Sequence, residues 1–395
     1  MTLRRANTET PRPTPRRSYW PAPITMTDSD ELTEASTTRR RDRLRAIGPL
    51  WLGAITSILL FLFGIQLLGA ATEAARPTIA RIHDQIVVGG GSALGISWLV
   101  TYGLTSGSVV AALAVSLLSS GIVSPSGAFM MIVGSRIGAG AIVVLIGGLD
   151  YAQDGQVRSM RESMSLGLLT FLIALTVYVP TAIVGIGVLS TFRSELFAAT
   201  RGLDLPLGAL AFFGPAVDAM TRAIGPRSAL VVAIASLFAG LWLFDTVLER
   251  VDVETVRRHV FRHFGHVWTA FVVGLVITAV TTSVAFSLGV VVPLYNREFV
   301  KREEITPYVL GANVGTLLDT LAVAFVLETP AGVAVVLLVM GIATALTALL
   351  LVAYDPYVSA IHAVQNRLLT DRRFFAGFLL VLVVVPVTLV VLPHL

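Results

Sequence analysis

Two charged side chains stand where the chain can least easily carry charge. Arg136 lies near the middle of the apolar stretch 126–148. Asp319 lies inside 305–328, one turn after Asn313 and Thr316. A lone charge at that depth is costly, so each is expected to face the interior and find a partner. Two arrangements are open: an ion pair with each other, or Arg136 meeting an anion while Asp319 meets a cation. Hydroxyl-rich patches stand nearby in sequence. Thr105-Ser106-Gly107-Ser108 and Thr282-Ser283-Val284-Ala285 interrupt otherwise apolar runs. Their hydroxyls can donate to the oxygens of an anion or offer oxygen to a hard cation. Single Ser or Thr residues more often satisfy the backbone of a kinked helix, but a duplicated patch favours binding. Other chemistry is missing. The sequence has no Ser-His-Asp order, paired catalytic carboxylates, HExxH motif or Gly-Lys-Ser/Thr loop, so an enzyme reading has nothing to stand on. His259, His263 and His266 share a helical face but sit among arginines without carboxylates. A surface-lying amphipathic helix suits them better than a transition-metal site. The absence of cysteine excludes disulfides, thiolate metal sites and cysteine nucleophiles.

The elements that must position these residues follow from composition. Of 395 residues 55% are hydrophobic and only 14% charged, and the mean hydropathy is +0.79. From Ile47 onward the pattern is that of an all-α, polytopic membrane protein, which excludes a soluble cytoplasmic enzyme and a disordered scaffold. Stretches long enough to cross a bilayer are 48–71, 126–148, 164–190, 228–248, 305–328, 332–353 and 374–393. Two more, 89–121 and 267–294, are broken in the middle by Thr, Ser and Gly and read as re-entrant hairpins, since broken helices at membrane depth must be buried or line a cavity. A third, 206–224, is short and interrupted by Pro206, Pro215 and Asp218. Mid-span Gln66 is suited to bridging helices.

Residues 1–45, rich in Pro and Arg, are expected to be a disordered cytoplasmic segment, and Met26 offers a second start. The rest divides into a membrane repeat at 46–190, an exterior linker at 191–227, a second repeat at 228–353, and 354–395 as a cytoplasmic loop with a final transmembrane helix. With the N-terminus cytoplasmic, interior loops carry twelve Lys and Arg against six outside, as the positive-inside rule requires. The net charge of +4 then belongs to those loops and calls for no nucleic-acid partner.

Self-comparison is more specific. Thr101 and Thr278, each preceding a hydroxyl patch, lie 177 residues apart, and so do Gly134-Ser135-Arg136-Ile137-Gly138 and Gly311-Ala312-Asn313-Val314-Gly315. Leu62–Leu68 resembles Leu237–Leu243 at nearly the same spacing. Equivalent first helices of the two copies must cross in opposite directions, so the repeats are inverted. Inverted repeats with interrupted helices describe secondary transporters with a site at the repeat interface. The paired Gly-x-x-x-Gly spacings indicate close helix packing.

These residues also resemble a family. The order of hydroxyl patch followed by Gly-Ala-Asn-Val-Gly-Thr (311–316), once per half over about 50–350, is similar to the sodium–phosphate cotransporter (type II Na/Pi symporter) family, as a divergent member. The family carries Gln-Ser-Ser-Ser in each hairpin and a Gly-Ala-Asn-Ile-Gly-Thr-Thr-like run in each following helix. Here Arg136 and Ala139 replace Asn and Thr in the first run, and Val284 and Ala285 replace two serines. The resemblance implies a multi-pass plasma-membrane symporter taking up inorganic phosphate with Na+ as coupling ion and no other cofactor. Thr105, Ser106, Ser108, Thr282, Ser283, Asn313, Thr316 and Arg136 would bind substrate, and Asp319, Asn313 and Ser283 the ion. Another small anion, proton coupling, or a non-transporting membrane regulator are the alternatives.

Overall fold

In lipid every backbone N–H and C=O must find an internal partner, so a chain this apolar can satisfy itself only as helices or a closed barrel. A computed structural model of the chain describes residues 27–154, 157–200, 212–250, 266–283, 287 and 302–394, and the regular elements among them are all helical. The helices are α1 (Thr27–Ala74), α2 (Arg76–Ile86), α3 (Gly90–Leu104), α4 (Gly107–Ser119), α5 (Pro125–Asp154), α6 (Val157–Thr191), α7 (Arg193–Thr200), α8 (Gly214–Ile224) and α9 (Pro226–Glu249). They continue with α10 (Val267–Thr281), α11 (Arg302–Gly315), α12 (Leu317–Val326), α13 (Pro330–Val352), α14 (Tyr354–Thr370) and α15 (Arg372–Val391). Seven segments among the described residues are long and apolar enough to cross a membrane, and they coincide with the seven predicted stretches.

Two segments are helical where the sequence was not read as helix. Residues 27–45, predicted disordered, are helical as the start of α1. The prolines end at Pro23, Asp28, Asp30 and Glu31 suit the positive end of a helix, and no proline follows until Pro49. Residues 1–26 lie outside the described residues. Residues 354–370, within the predicted cytoplasmic loop, form helix α14. Its buried Val358, Ile361, Gln365 and Leu368 recur at helical spacing and form a face against the neighbouring helices. Tyr357 meets the Thr176 hydroxyl at 2.9 Å, and Gln365 donates to Ser165. By contiguity the chain forms two units, Met1–Trp51 and Leu52–Leu395, and the second holds Arg136, Asp319 and both hydroxyl patches.

Burial ranks the spans. The windows at Pro125–Leu145 and Ile305–Val326 are 72% and 83% buried, whereas those at Pro226–Glu249 and Arg373–His394 are 17% buried. The two central spans are the ones that carry Arg136 and Asp319. Around them Tyr178, Tyr308, Phe129 and Phe171 are fully enclosed, and apolar side chains such as Ile183, Val231 and Val280 form the outer surface.

The 177-residue spacing is built into the packing. Helices α3 and α10 each have 15 residues and begin 177 positions apart. A Cβ on Gly134 would lie 2.4 Å from the Leu94 oxygen and one on Gly138 2.9 Å from that of Trp98. The equivalent atoms on Gly311 and Gly315 would lie 2.0 Å from the Phe271 oxygen and 2.6 Å from that of Leu275. All four contacts pair equivalent residues, so both Gly-x-x-x-Gly runs are close-packing faces. In the first copy α3 runs parallel to α5, while Gly107 at the head of α4 abuts Ser135 and Ala139. Helix α4 therefore doubles back along α5, and the chain reverses at Thr105–Ser106. In the second copy α10 and its tip at Thr282–Ser283 are seen; Val284, Ala285 and residues 288–301 lie outside the described residues.

Candidate functional site

Each arm ends the same way. Thr105 closes α3 with φ 54°, and Thr282 closes α10 with φ 51°, both in the left-handed region. That conformation is an outlier for a β-branched residue and costs about 1–2 kcal/mol, and such strain collects at functional sites. In the first copy it lets α4 start at once. Ser106 is its N-cap, accepting from the Val109 amide at 3.4 Å, so the electropositive end of α4 begins at the tip. In the second copy Ser287 ties the segment after the tip to its neighbours. Its hydroxyl receives the Thr278 hydroxyl at 2.7 Å, and its carbonyl receives Tyr308 at 2.8 Å.

Both tips open onto one cavity of about 510 Å³. All eight residues expected to bind substrate line it: Thr105, Ser106, Ser108 and Arg136 from the first copy, and Thr282, Ser283, Asn313 and Thr316 from the second. Asp319 does not line it. It lies directly behind, 2% exposed, and both carboxylate oxygens are engaged. Arg136 Nη2 donates to one at 2.8 Å, as does Thr320 Oγ1, also at 2.8 Å, and the Ser108 hydroxyl donates to the other. Arg136 Nη2 also meets the Thr320 hydroxyl, and Arg136 Nε is buried without a partner. Of the two arrangements the sequence left open, the ion pair between the copies is the one observed. Breaking such a buried pair from one side leaves an uncompensated charge, at a cost of about 3–5 kcal/mol.

Asn313 and Thr316 are held from below. Asn313 Nδ2 donates to the Val309 carbonyl at 3.0 Å, and the Asn313 carbonyl accepts from Thr316 at 2.8 Å and from the Tyr178 hydroxyl at 2.7 Å. Sequence reasoning missed Tyr178, Ser287 and Tyr308, whose partners are revealed only by folding. It also missed Asp245. This half-buried carboxylate of α9 lines the cavity and accepts a hydrogen bond from Ser283. Near Glu249 and Arg250 it looks like the polar end of a span; its place inside an apolar helix window was the available signal. Gln66 bridges as expected, accepting from the Phe213 amide at 3.1 Å. No cluster of metal-ligating side chains occurs among the described residues, and His259 and His263 fall outside them.

The arrangement presents one fixed cation, one carboxylate, a helix N-terminus and two hydroxyl tips around a single internal space in a multi-pass helical membrane protein. That defines the class: a membrane protein with a polar, charged chamber at the meeting point of two similar halves. The chain belongs to the Na+/Pi-cotransporter family, whose profile it matches over residues 60–217 and 237–361, more than half its length. The two matched stretches themselves begin 177 residues apart. No curated protein and no solved structure matches it. Membership makes this a transporter of the sodium–phosphate class.

Proposed function

We propose that the protein is a secondary active transporter of the plasma membrane that couples uptake of inorganic phosphate to sodium by alternating access around the 510 Å³ cavity. The observation that carries this is the pair of left-handed threonine tips, one from each copy, opening onto the same chamber. An anion of phosphate type suits the first tip, where Arg136, the Thr105, Ser106 and Ser108 hydroxyls and the N-terminus of α4 all favour negative charge. Sodium suits the second, where Asp245, Ser283, Thr282 and Asn313 supply oxygens. Asp319 holds Arg136 in place, with both of its oxygens engaged by hydrogen bonds.

Inversion of the repeats is supported by α1 and α9, their first helices. A Cβ on Gly64 would lie 2.9 Å from the Leu237 amide nitrogen, one on Gly240 2.9 Å from that of Phe61, and one on Gly53 2.7 Å from Val247. As numbers rise along one helix they fall along the other, so equivalent helices run antiparallel. Helix α4 turning back at the tip supports a re-entrant hairpin, and the arginine distribution supports a cytoplasmic N-terminus. Rocking of the two inverted copies about the chamber would expose it to each side in turn.

Uptake of labelled phosphate into proteoliposomes, with and without a sodium gradient, tests the proposal. Sodium-dependent uptake is expected. Uptake of another anion, or uptake driven by a proton gradient, would replace it with a different symporter. No uptake of any anion would leave a membrane regulator.

A further inference from the structure

The two copies differ at one position that decides charge. Arg136 and Asn313 stand 177 residues apart, each two places after the glycine that packs on its hairpin arm. In the second copy the Asn313 amide nitrogen is spent on the Val309 carbonyl, which leaves an oxygen as what it brings to the cavity. That register therefore offers a ligand to a mobile cation. In the first copy the same register holds a guanidinium, which is itself a cation. It is 7% exposed, clamped by Asp319 and Thr320, and adjoins the Ser108 hydroxyl that Asp319 also binds.

Both Asp319 oxygens already accept hydrogen bonds, one from Arg136 and Thr320 and the other from Ser108, and the adjacent guanidinium charge repels a second mobile cation there. The guanidinium is tethered to α5, so its charge stays beside Asp319 in every access state.

We propose that Arg136 is a tethered counter-ion: it permanently fills the cation position of the first copy, so that one mobile sodium, bound at the second tip, accompanies each anion. This rests on the cavity being a sodium-coupled anion site. It makes Arg136 and Asp319 determinants of coupling stoichiometry, beyond the part of Arg136 in binding the anion.

The experiment uses the full chain, purified and reconstituted. Sodium dependence of labelled phosphate uptake by the native protein should show a Hill coefficient of about 1. Arg136→Asn leaves Asp319 as a buried carboxylate needing a cation, so its Hill coefficient should rise toward about 2. In detergent, sodium should raise the Tm of Arg136→Asn over its value in choline by about 2 °C more than it does for the native protein. The double variant Arg136→Asn/Asp319→Asn removes both charges and should lose the added sodium effect. Recovery of Arg136→Asn in sodium but not in choline also supports the proposal. An unchanged Hill coefficient with no added stabilisation by sodium overturns it, and so does recovery in neither salt while the double variant folds. If the native protein moves no phosphate, the transport reading fails, while the Tm comparison still decides whether Arg136 stands in for a cation at Asp319.

Discussion

Threonine is an expensive choice for a left-handed backbone, and at Thr105 and Thr282 the chain makes it twice. Glycine would adopt the same φ without the clash, and after its own entropic cost the net gain would be about 0.5 kcal/mol. The hydroxyls on the cavity wall are the reason offered here for keeping threonine. Thr105→Gly should therefore hold or raise Tm while reducing phosphate uptake at equal expression. Glu328 supplies the control: it also has a positive φ, 48°, but does not line the cavity. Glu328→Gly should give a similar stability gain with uptake unchanged. At the second tip, Asp245→Asn removes the charge facing sodium. The apparent sodium affinity should fall about tenfold, corresponding to about 1.4 kcal/mol, with expression maintained; an unaltered sodium titration would remove Asp245 from the ion site. The charges at 136 and 319 were legible in sequence because arginine and aspartate inside apolar runs demand explanation. Asp245 was less so, because it sits a single turn from the charged end of its helix.

Helices are where reading the sequence succeeded best, and the reason is physical. Hydropathy over some twenty residues reports directly on crossing a bilayer, so all seven spans were legible to within a few residues. The helices at 27–45 and 354–370 are too polar for that criterion, and there capping charges and a spaced apolar face carry the information. What the spans could not reveal is how closely they approach, which the glycines set. A Cβ at Gly311 would stand 2.0 Å from the Phe271 carbonyl oxygen, whereas nothing lies within 4 Å of one at Gly341. Gly311→Ala should thus force α10 and α11 apart at a cost of about 1–3 kcal/mol. Gly341→Ala, on an open helix face, should be neutral or stabilising by up to about 1 kcal/mol. Thermal unfolding of the two variants in the same detergent measures both. Equal Tm values would mean that the α10–α11 contact is looser than its geometry.

At the scale of the whole molecule, the proposed inversion of the two halves would give the chamber two equivalent exits, and alternating access requires that only one be open at a time. The lack of native cysteines makes this measurable, because any thiol introduced is the only one present. Ser190→Cys at the exposed end of α6 and Ala363→Cys on the exposed face of α14 mark the two sides. With the N-terminus cytoplasmic, as proposed, an impermeant maleimide should label the first in intact cells and the second only after permeabilisation. Ala139→Cys reports from the cavity wall. Labelled from outside, it should react faster or slower when sodium and phosphate are added together, since a ligand that prefers one access state shifts the population toward it. Modification from inside should change in the opposite sense. Rates that rise together from both sides would describe a continuous pore and defeat alternating access. Opposite changes are what the proposed rocking of two inverted copies must produce, since closing one exit would be the same movement that opens the other.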